Sequence, residues 1–155
     1  MNPDFMRLAI SLSIENVQQG RGGPFAAVIV RDGEIIAHGT NLVTTTNDPT
    51  AHAEVVAIRH ACQRLGVFHL TDCEIYSTCE PCPMCLAAIY WARLKKVYYA
   101  NTRSDAAAIG FDDEKLYHEL ALPPIQRTLP AEQLLRHEAL AAFQLWKEKH
   151  DKIPY

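Results

Sequence analysis

Apolar side chains at Phe5, Leu8, Ala9 and Leu12 recur with helical spacing, which predicts an amphipathic helix over residues 4–18 that ends near Gly20. After a loop at Arg21-Gly22-Gly23-Pro24, residues 25–30 form an unbroken apolar run of strand type. Arg31-Asp32-Gly33-Glu34 is a hairpin signal, and residues 35–41 return as a second strand. Residues 42–48, with three successive threonines, read as loop. A helix is predicted over 55–65, with Ile58, Cys62 and Leu65 on one face and Gly66 closing it. A short strand over 74–78 follows. Residues 86–92 are apolar on every side, so that helix is expected to be fully buried or partly in a subunit interface. Residues 96–100 make a fourth strand, and helices are predicted over 113–120 and 130–149, separated by Pro123-Pro124. The order α-β-β-α-β-α-β-α predicts a three-layer α/β/α sandwich with a mixed central sheet, in one domain spanning residues 1–155.

Composition changes this picture little. Hydrophobic content of 48% and charged content of 21% are those of an ordinary globular protein. A net charge of −3 gives no general attraction to nucleic acid or to an anionic membrane. No apolar run approaches the 18 or so residues needed to span a bilayer. Met1-Asn2-Pro3-Asp4-Phe5 lacks the basic start and apolar core of a signal peptide, so a cytoplasmic protein is expected. Five cysteines is an odd count, and two of them stand in a C-x-x-C; with a nearby His motif this points to a metal in a reducing compartment rather than to disulfides.

The chemistry concentrates in two stretches. Asp48-Pro49-Thr50-Ala51-His52-Ala53-Glu54 is answered by Glu80-Pro81-Cys82-Pro83-Met84-Cys85, with 27 residues between Glu54 and Cys82. One imidazole and two thiolates supply three ligands, the number found in a catalytic zinc site that keeps its fourth position for water; a structural zinc would want a fourth Cys or His. Glu54, two residues from the imidazole, is placed to handle protons on that water. Pro81 suits the first position of a helix, which puts Cys82 and Cys85 in its first turns, about 60° apart around the axis. A helix N-terminus is electropositive and favours thiolates. His52 and Glu54 would diverge on a regular helix and can converge only if a helix starts near them, for which Asp48-Pro49-Thr50 is a start signal. Two helix N-termini facing one metal are therefore expected.

With these motifs in that order of elements, the chain resembles the cytidine deaminase-like superfamily from end to end and, within it, the small bacterial guanine deaminases. Beyond the metal motifs, the resemblance is carried by Gly22-Gly23-Pro24-Phe25, Asn41, Asn47-Asp48-Pro49-Thr50, Tyr90-Trp91-Ala92-Arg93, Gly110-Phe111-Asp112-Asp113 and the terminal Tyr155. It implies one zinc per chain held by His52, Cys82 and Cys85, and attack of a zinc-activated water on C2 of guanine with Glu54 as proton shuttle, giving xanthine and ammonia. It also implies a purine pocket formed by Asn41, Phe25, Ala53, Trp91, Asp112 and Tyr155, and a homodimer in which the C-terminal segment is exchanged and Tyr155 closes the partner's pocket.

Several of the pocket residues have a plainer alternative, and Tyr155 by itself reads as a frayed end. Asp112 could cap a helix or be solvated, and Asp113 fits capping at least as well; Asn41 could be a turn residue; Phe25 and Trp91 could be core. Cys62 and Cys73 read as buried thiols and Cys79 as a residue behind the metal site. Cytosine and tRNA adenosine deaminases share NDPTAHAE-like and PC-x-MC-like segments, so they are rival readings, and ammeline is a further candidate substrate. The predicted C-terminal helix carries Glu132, Arg136, Glu138, Lys147, Glu148 and Lys149, a mixed set that favours a free base over RNA. A non-catalytic zinc protein would have no need of Glu54.

Overall fold

A computed structural model describes residues 1–155. Its elements are helix α1 (Pro3–Gln18), strands β1 (Ala26–Arg31) and β2 (Glu34–Thr40), a short helix α2 (Val43–Thr46), helix α3 (Ala53–Leu65), strand β3 (Cys73–Cys79), helix α4 (Pro83–Trp91), strand β4 (Lys96–Asn101), and helices α5 (Arg103–Ala108), α6 (Glu114–Ala121) and α7 (Arg136–Glu148), with a 3-10 turn at Pro124–Gln126. The chain divides into two compact units, Met1–Asp113 and Glu114–Tyr155.

In the first unit the four strands lie in the order β2-β1-β3-β4. β1 pairs antiparallel with both β2 and β3, and β3 pairs parallel with β4, so the sheet is mixed as expected. β1 is apolar on both faces because both are covered. Val28 and Val30 point, with Tyr76 of β3, toward the apolar side of α1 at Phe5, Leu8, Ala9 and Leu12. Ala27 and Ile29 point the other way, with Ile75, into a core shared with Ala53, Ala57 and Ala61 of α3 and Ile89 of α4. These are the three layers. α3 approaches β2 very closely: a Cβ on Gly39 would lie 2.5 Å from both the Ala53 carbonyl oxygen and the Ala57 nitrogen, so only glycine lets the start of α3 rest there.

In the second unit, α6, the 3-10 turn and α7 are joined by loops, and none of its residues is buried. Arg127 and Thr128 tie the turn region back to α6 through Nε to the Glu119 and Leu122 carbonyls and through a backbone N–H to the Glu119 carboxylate.

Several boundaries differ from those predicted. α3 begins at Ala53 rather than 55, and α7 begins at Arg136 rather than 130, entered through Leu135 in the left-handed region at φ 51°. The hydrophobic pattern does not predict α5. Its capping box is nonetheless in the sequence, with Thr102 and Asp105 each bonding the other's backbone N–H. The apolar helix α4 is not fully buried: Tyr90 is 75% and Trp91 68% exposed.

Candidate metal and catalytic site

Two helix starts build the site. His52 is the N-cap of α3 in extended backbone, and Cys82 is the N-cap of α4. Pro83, not Pro81, occupies the first helical position, because either proline satisfies the preference for that place and the chain turns one step later than predicted. Cys85 then lies in the first turn of α4, fully buried. The lead into α3 is pinned by Asp48, whose Oδ1 accepts from the Thr50 N–H at 2.8 Å and the Thr50 hydroxyl at 2.7 Å, while Arg59 of α3 reaches its Oδ2 at 3.3 Å. These bonds also hold the Asp48 carboxyl below its ordinary pKa, with Thr50 the main cause.

The donor atoms of His52, Cys82 and Cys85 all lie within 4.8 Å of one another. Nδ1 of His52 is 3.6 Å from Sγ of Cys82 and 3.5 Å from Sγ of Cys85. A tetrahedral zinc with ordinary Zn–N and Zn–S bonds requires a separation of about 3.5 Å between those atoms. The donor set and its spacing therefore fit zinc, with three protein ligands and a fourth position for water. Hydrogen bonds from Cys85 and His52, together with the helix N-terminus, favour the Cys82 thiolate and bring its pKa down to about 4. The hydrogen bond to that thiolate in turn raises His52. Cys85, next to an ionised neighbour and buried, is pushed upward and keeps its proton in the metal-free protein.

Glu54 lies in the first turn of α3 and is only 6% exposed. Loss of hydration raises its pKa above the usual carboxylate value. The Ser77 hydroxyl of β3 donates to its Oε1 at 3.2 Å. Sequence reading missed Ser77. The only available signal was its place on the β3 face opposite Tyr76, five residues before Cys82. Cys79 stands outside the three-donor cluster: its thiol donates to the Thr102 carbonyl at 3.6 Å and burial pushes it up to about 11, so it stays protonated. Cys62 and Cys73 pack in the core, where burial raises both thiols.

The residues expected to form the purine pocket are placed as follows. Ala53 is fully buried beside His52. Asn41, buried at the end of β2, accepts at Oδ1 from the Gly23 and Val43 N–H groups, each at 3.3 Å, which leaves its Nδ2 as the group to offer a ligand. Phe25 is half-buried and meets Phe111 edge-on, with ring centroids 4.9 Å apart. That contact holds the Gly110-Phe111-Asp112-Asp113 loop near the front of β1. Asp112 is exposed, whereas Asp113 is half-buried and its carboxyl is raised by burial and then by the Cys82 charge. Trp91 ends α4 on the surface, so it is not a core residue, and Tyr155 ends the second unit.

Comparison with known proteins agrees with this geometry. The model of the cytidine and deoxycytidylate deaminase zinc-binding region matches residues 2–101. The guanine deaminase of Bacillus subtilis is 55% identical over 151 residues, covering 97% of each chain. Its X-ray structure superposes with a TM-score of 0.97 over 100% of this chain and 99% of that one. A tRNA-specific adenosine deaminase of Aquifex aeolicus is 42% identical over 62% of this chain and 63% of its own. A guanine deaminase structure from Nitrosomonas europaea, 32% identical, matches with a TM-score of 0.70 over 74% of this chain and 66% of that one. The chain belongs to the cytidine and deoxycytidylate deaminase zinc-binding family.

Proposed function

We propose that the protein is a zinc-dependent guanine deaminase, which hydrolyses guanine to xanthine and ammonia. The observation that carries the reading is the convergence of His52, Cys82 and Cys85 with a buried Glu54, in a chain similar over nearly its whole length to a guanine deaminase. The similarity to tRNA-specific adenosine deaminases covers less of the chain, which favours the free purine over RNA.

Zinc held by the three ligands would acidify a water molecule in its open position. Glu54 takes a proton from that water and gives it to a ring nitrogen of the base. Once the water oxygen has bonded to C2, the carboxyl would take the remaining proton from that oxygen and give it to the 2-amino group, so that the C2–amino bond breaks, ammonia leaves and C2 keeps its oxygen as the carbonyl of xanthine. A raised pKa suits this carboxyl, since it must hold a proton between the two transfers. Ser77 keeps one carboxylate oxygen in place through its hydroxyl. Asn41 presents its Nδ2 donor to an acceptor on the purine, and Asp112 accepts from N1–H and the 2-amino group. Phe25 and Trp91 flank the flat base, with Ala53 beneath it.

The protein acts as a homodimer in the cytoplasm, where thiols remain reduced. Residues Glu114–Tyr155 cross to the second subunit, and Tyr155 closes the purine pocket there. Support comes from the absence of any buried residue in that unit and from its exposed apolar side chains, Phe143 at 74% among them.

Ammonia release from guanine, cytosine, adenosine and a tRNA anticodon stem, measured on protein of known metal content, tests the reading. Turnover of guanine alone with one zinc per chain is expected, and zinc without guanine turnover would overturn it. Asp112→Asn should raise KM or lower kcat for guanine without altering the fold; unchanged kinetics would remove Asp112 from the pocket. Ammeline offers a similar amino-oxo edge and is expected as a slower substrate, which absence of ammonia release would exclude.

A further inference from the structure

Asn16 is an anomaly in α1. It lies on the inner face of the helix with Ala9 and Ser13 and has no solvent exposure, although asparagine disfavours helix interiors and a buried amide is costly unless bonded. Both hydrogens of its Nδ2 are used, donating to the Gly23 carbonyl and the Asn41 carbonyl at 2.9 Å each. Those two acceptors also fix which way the amide points, since a flipped amide would set its oxygen against two carbonyls.

The same two residues meet a second time. The Gly23 N–H donates to Asn41 Oδ1, and the Val43 N–H donates to the same oxygen. Asn41 is thus gripped at its backbone carbonyl by Asn16 and at its side-chain oxygen by the Gly23 and Val43 amides, and Asn16 also holds Gly23 in place. The backbone at Gly22 is pressed so closely on Asn41 that a Cβ there would lie 2.1 Å from the Asn41 carbonyl oxygen. Aliphatic packing could fill the Asn16 position, but it could not supply two donors to two carbonyls in one plane. We propose that Asn16 is a positioning residue: from α1 it locks the Gly23–Asn41 pair so that Asn41 presents its Nδ2, and only its Nδ2, to the purine. It rests on the reading of Asn41 as a purine contact. Asn16 itself does not touch the base.

The test is a double-mutant cycle on the zinc-loaded protein with guanine as substrate, using Asn16→Leu, Asn41→Ala and the pair. Zinc per chain and melting temperature are recorded for each. Asn16→Leu should lower kcat/KM at least about tenfold, mainly through KM, because a binding contact is misplaced rather than a proton shuttle lost. The pair should be no worse than Asn41→Ala alone. Amide exchange at Gly23 and Val43 should accelerate in Asn16→Leu, while exchange at Ile75 in the sheet core stays unchanged. Asn16→Ser, smaller and with one hydroxyl donor, should fall between wild type and Asn16→Leu, and it decides the matter if the leucine variant does not fold.

Additive losses in the cycle, or a loss that follows melting temperature with KM unchanged, would reduce Asn16 to a structural role and overturn the proposal. If Asn41→Ala is impaired and both Asn16 variants are not, the positioning role fails while the reading of Asn41 stands. If Asn41→Ala turns over guanine like wild type, the reading of Asn41 fails and Asn16 falls with it.

Discussion

Met1–Asp113 and Glu114–Tyr155 solve the problem of apolar surface in opposite ways. In the first, alternate residues of β1 and β3 enter two separate cores, and polar groups that go inside, such as the Asn16 Nδ2, Glu54 and Ser77, find partners there. In the second, the apolar residues of α6 and α7, including Leu120, Phe143 and Trp146, have no interior to enter. Even the helix starts differ. α5 is closed by a reciprocal capping box, while α7 begins at a left-handed Leu135 with no side-chain cap. A segment of about forty residues seldom sustains a core alone. The contrast teaches that the metal chemistry is built into the first unit, whereas the second leaves its apolar side chains exposed, the surface that the proposed exchange between subunits would cover.

The strongest way to sharpen that contrast is within the first unit. Glu54→Gln should retain one zinc per chain yet lose about 10²–10⁴-fold in guanine turnover, measured as ammonia release. Loss of zinc from this variant would make Glu54 a ligand instead. Because burial raises the folded pKa of Glu54, the metal-free wild type loses stability as pH rises through that value, and the neutral amide does not. Metal-free Glu54→Gln should accordingly melt higher than metal-free wild type at pH 8.

The next effect concerns acid. His52 and Cys85 are both raised in the metal-free protein, so zinc must displace a proton from each, while Cys82, at about 4, is already ionised near neutrality. Zinc affinity should fall about a hundredfold for each unit by which pH is lowered where both protons are held, that is, above about pH 4 and below the raised pKa of His52. A competition titration with a chromogenic chelator reads this slope, and a slope near zero would contradict the ligand set.

A smaller change should separate the units. If the proposed dimer forms through this face, Phe143→Glu combined with Trp146→Glu is expected to weaken it at least about tenfold in sedimentation equilibrium and to leave one zinc per chain. An unchanged dimer would mean that this face of α7 is not an interface. The smallest effect is local. Asp105→Ala removes one half of the capping box of α5, the bond from the Thr102 N–H, and should lower the melting temperature by a few degrees at pH 7. The Asp105 carboxyl is held below its ordinary value, chiefly by the Thr102 N–H, so its stabilising contribution is present above about pH 3.8 and lost as pH falls through the lowered folded value. The difference between variant and wild type should vanish there.

Much of this was legible in the sequence because it is local. The β1 run, the turn at Arg31-Asp32-Gly33-Glu34 and the H-x-E and C-x-x-C motifs all express their physics within a few positions. The start of α7 was placed too early because Leu134 and Leu135 continue an apolar pattern through residues that are not helical. α5 was missed because six residues rich in alanine give no stripe, although Thr102 and Asp105 announced it. Asn16 could not be found from its neighbours, since its partners are 7 and 25 positions away and belong to a loop and a strand end. Ser77 was hidden for the same reason, 23 positions from Glu54.

The position of the metal ligands has one more consequence, for how the chain comes to be folded at all. His52 and Cys82 are 30 positions apart and bracket β3, the strand that joins β1 to β4. A metal tying them together closes a loop around that strand much as a disulfide would, and it removes chain entropy from the unfolded ensemble. Metal uptake is thereby coupled to insertion of the central strand, so a chain starved of zinc loses a cross-link as well as a catalyst.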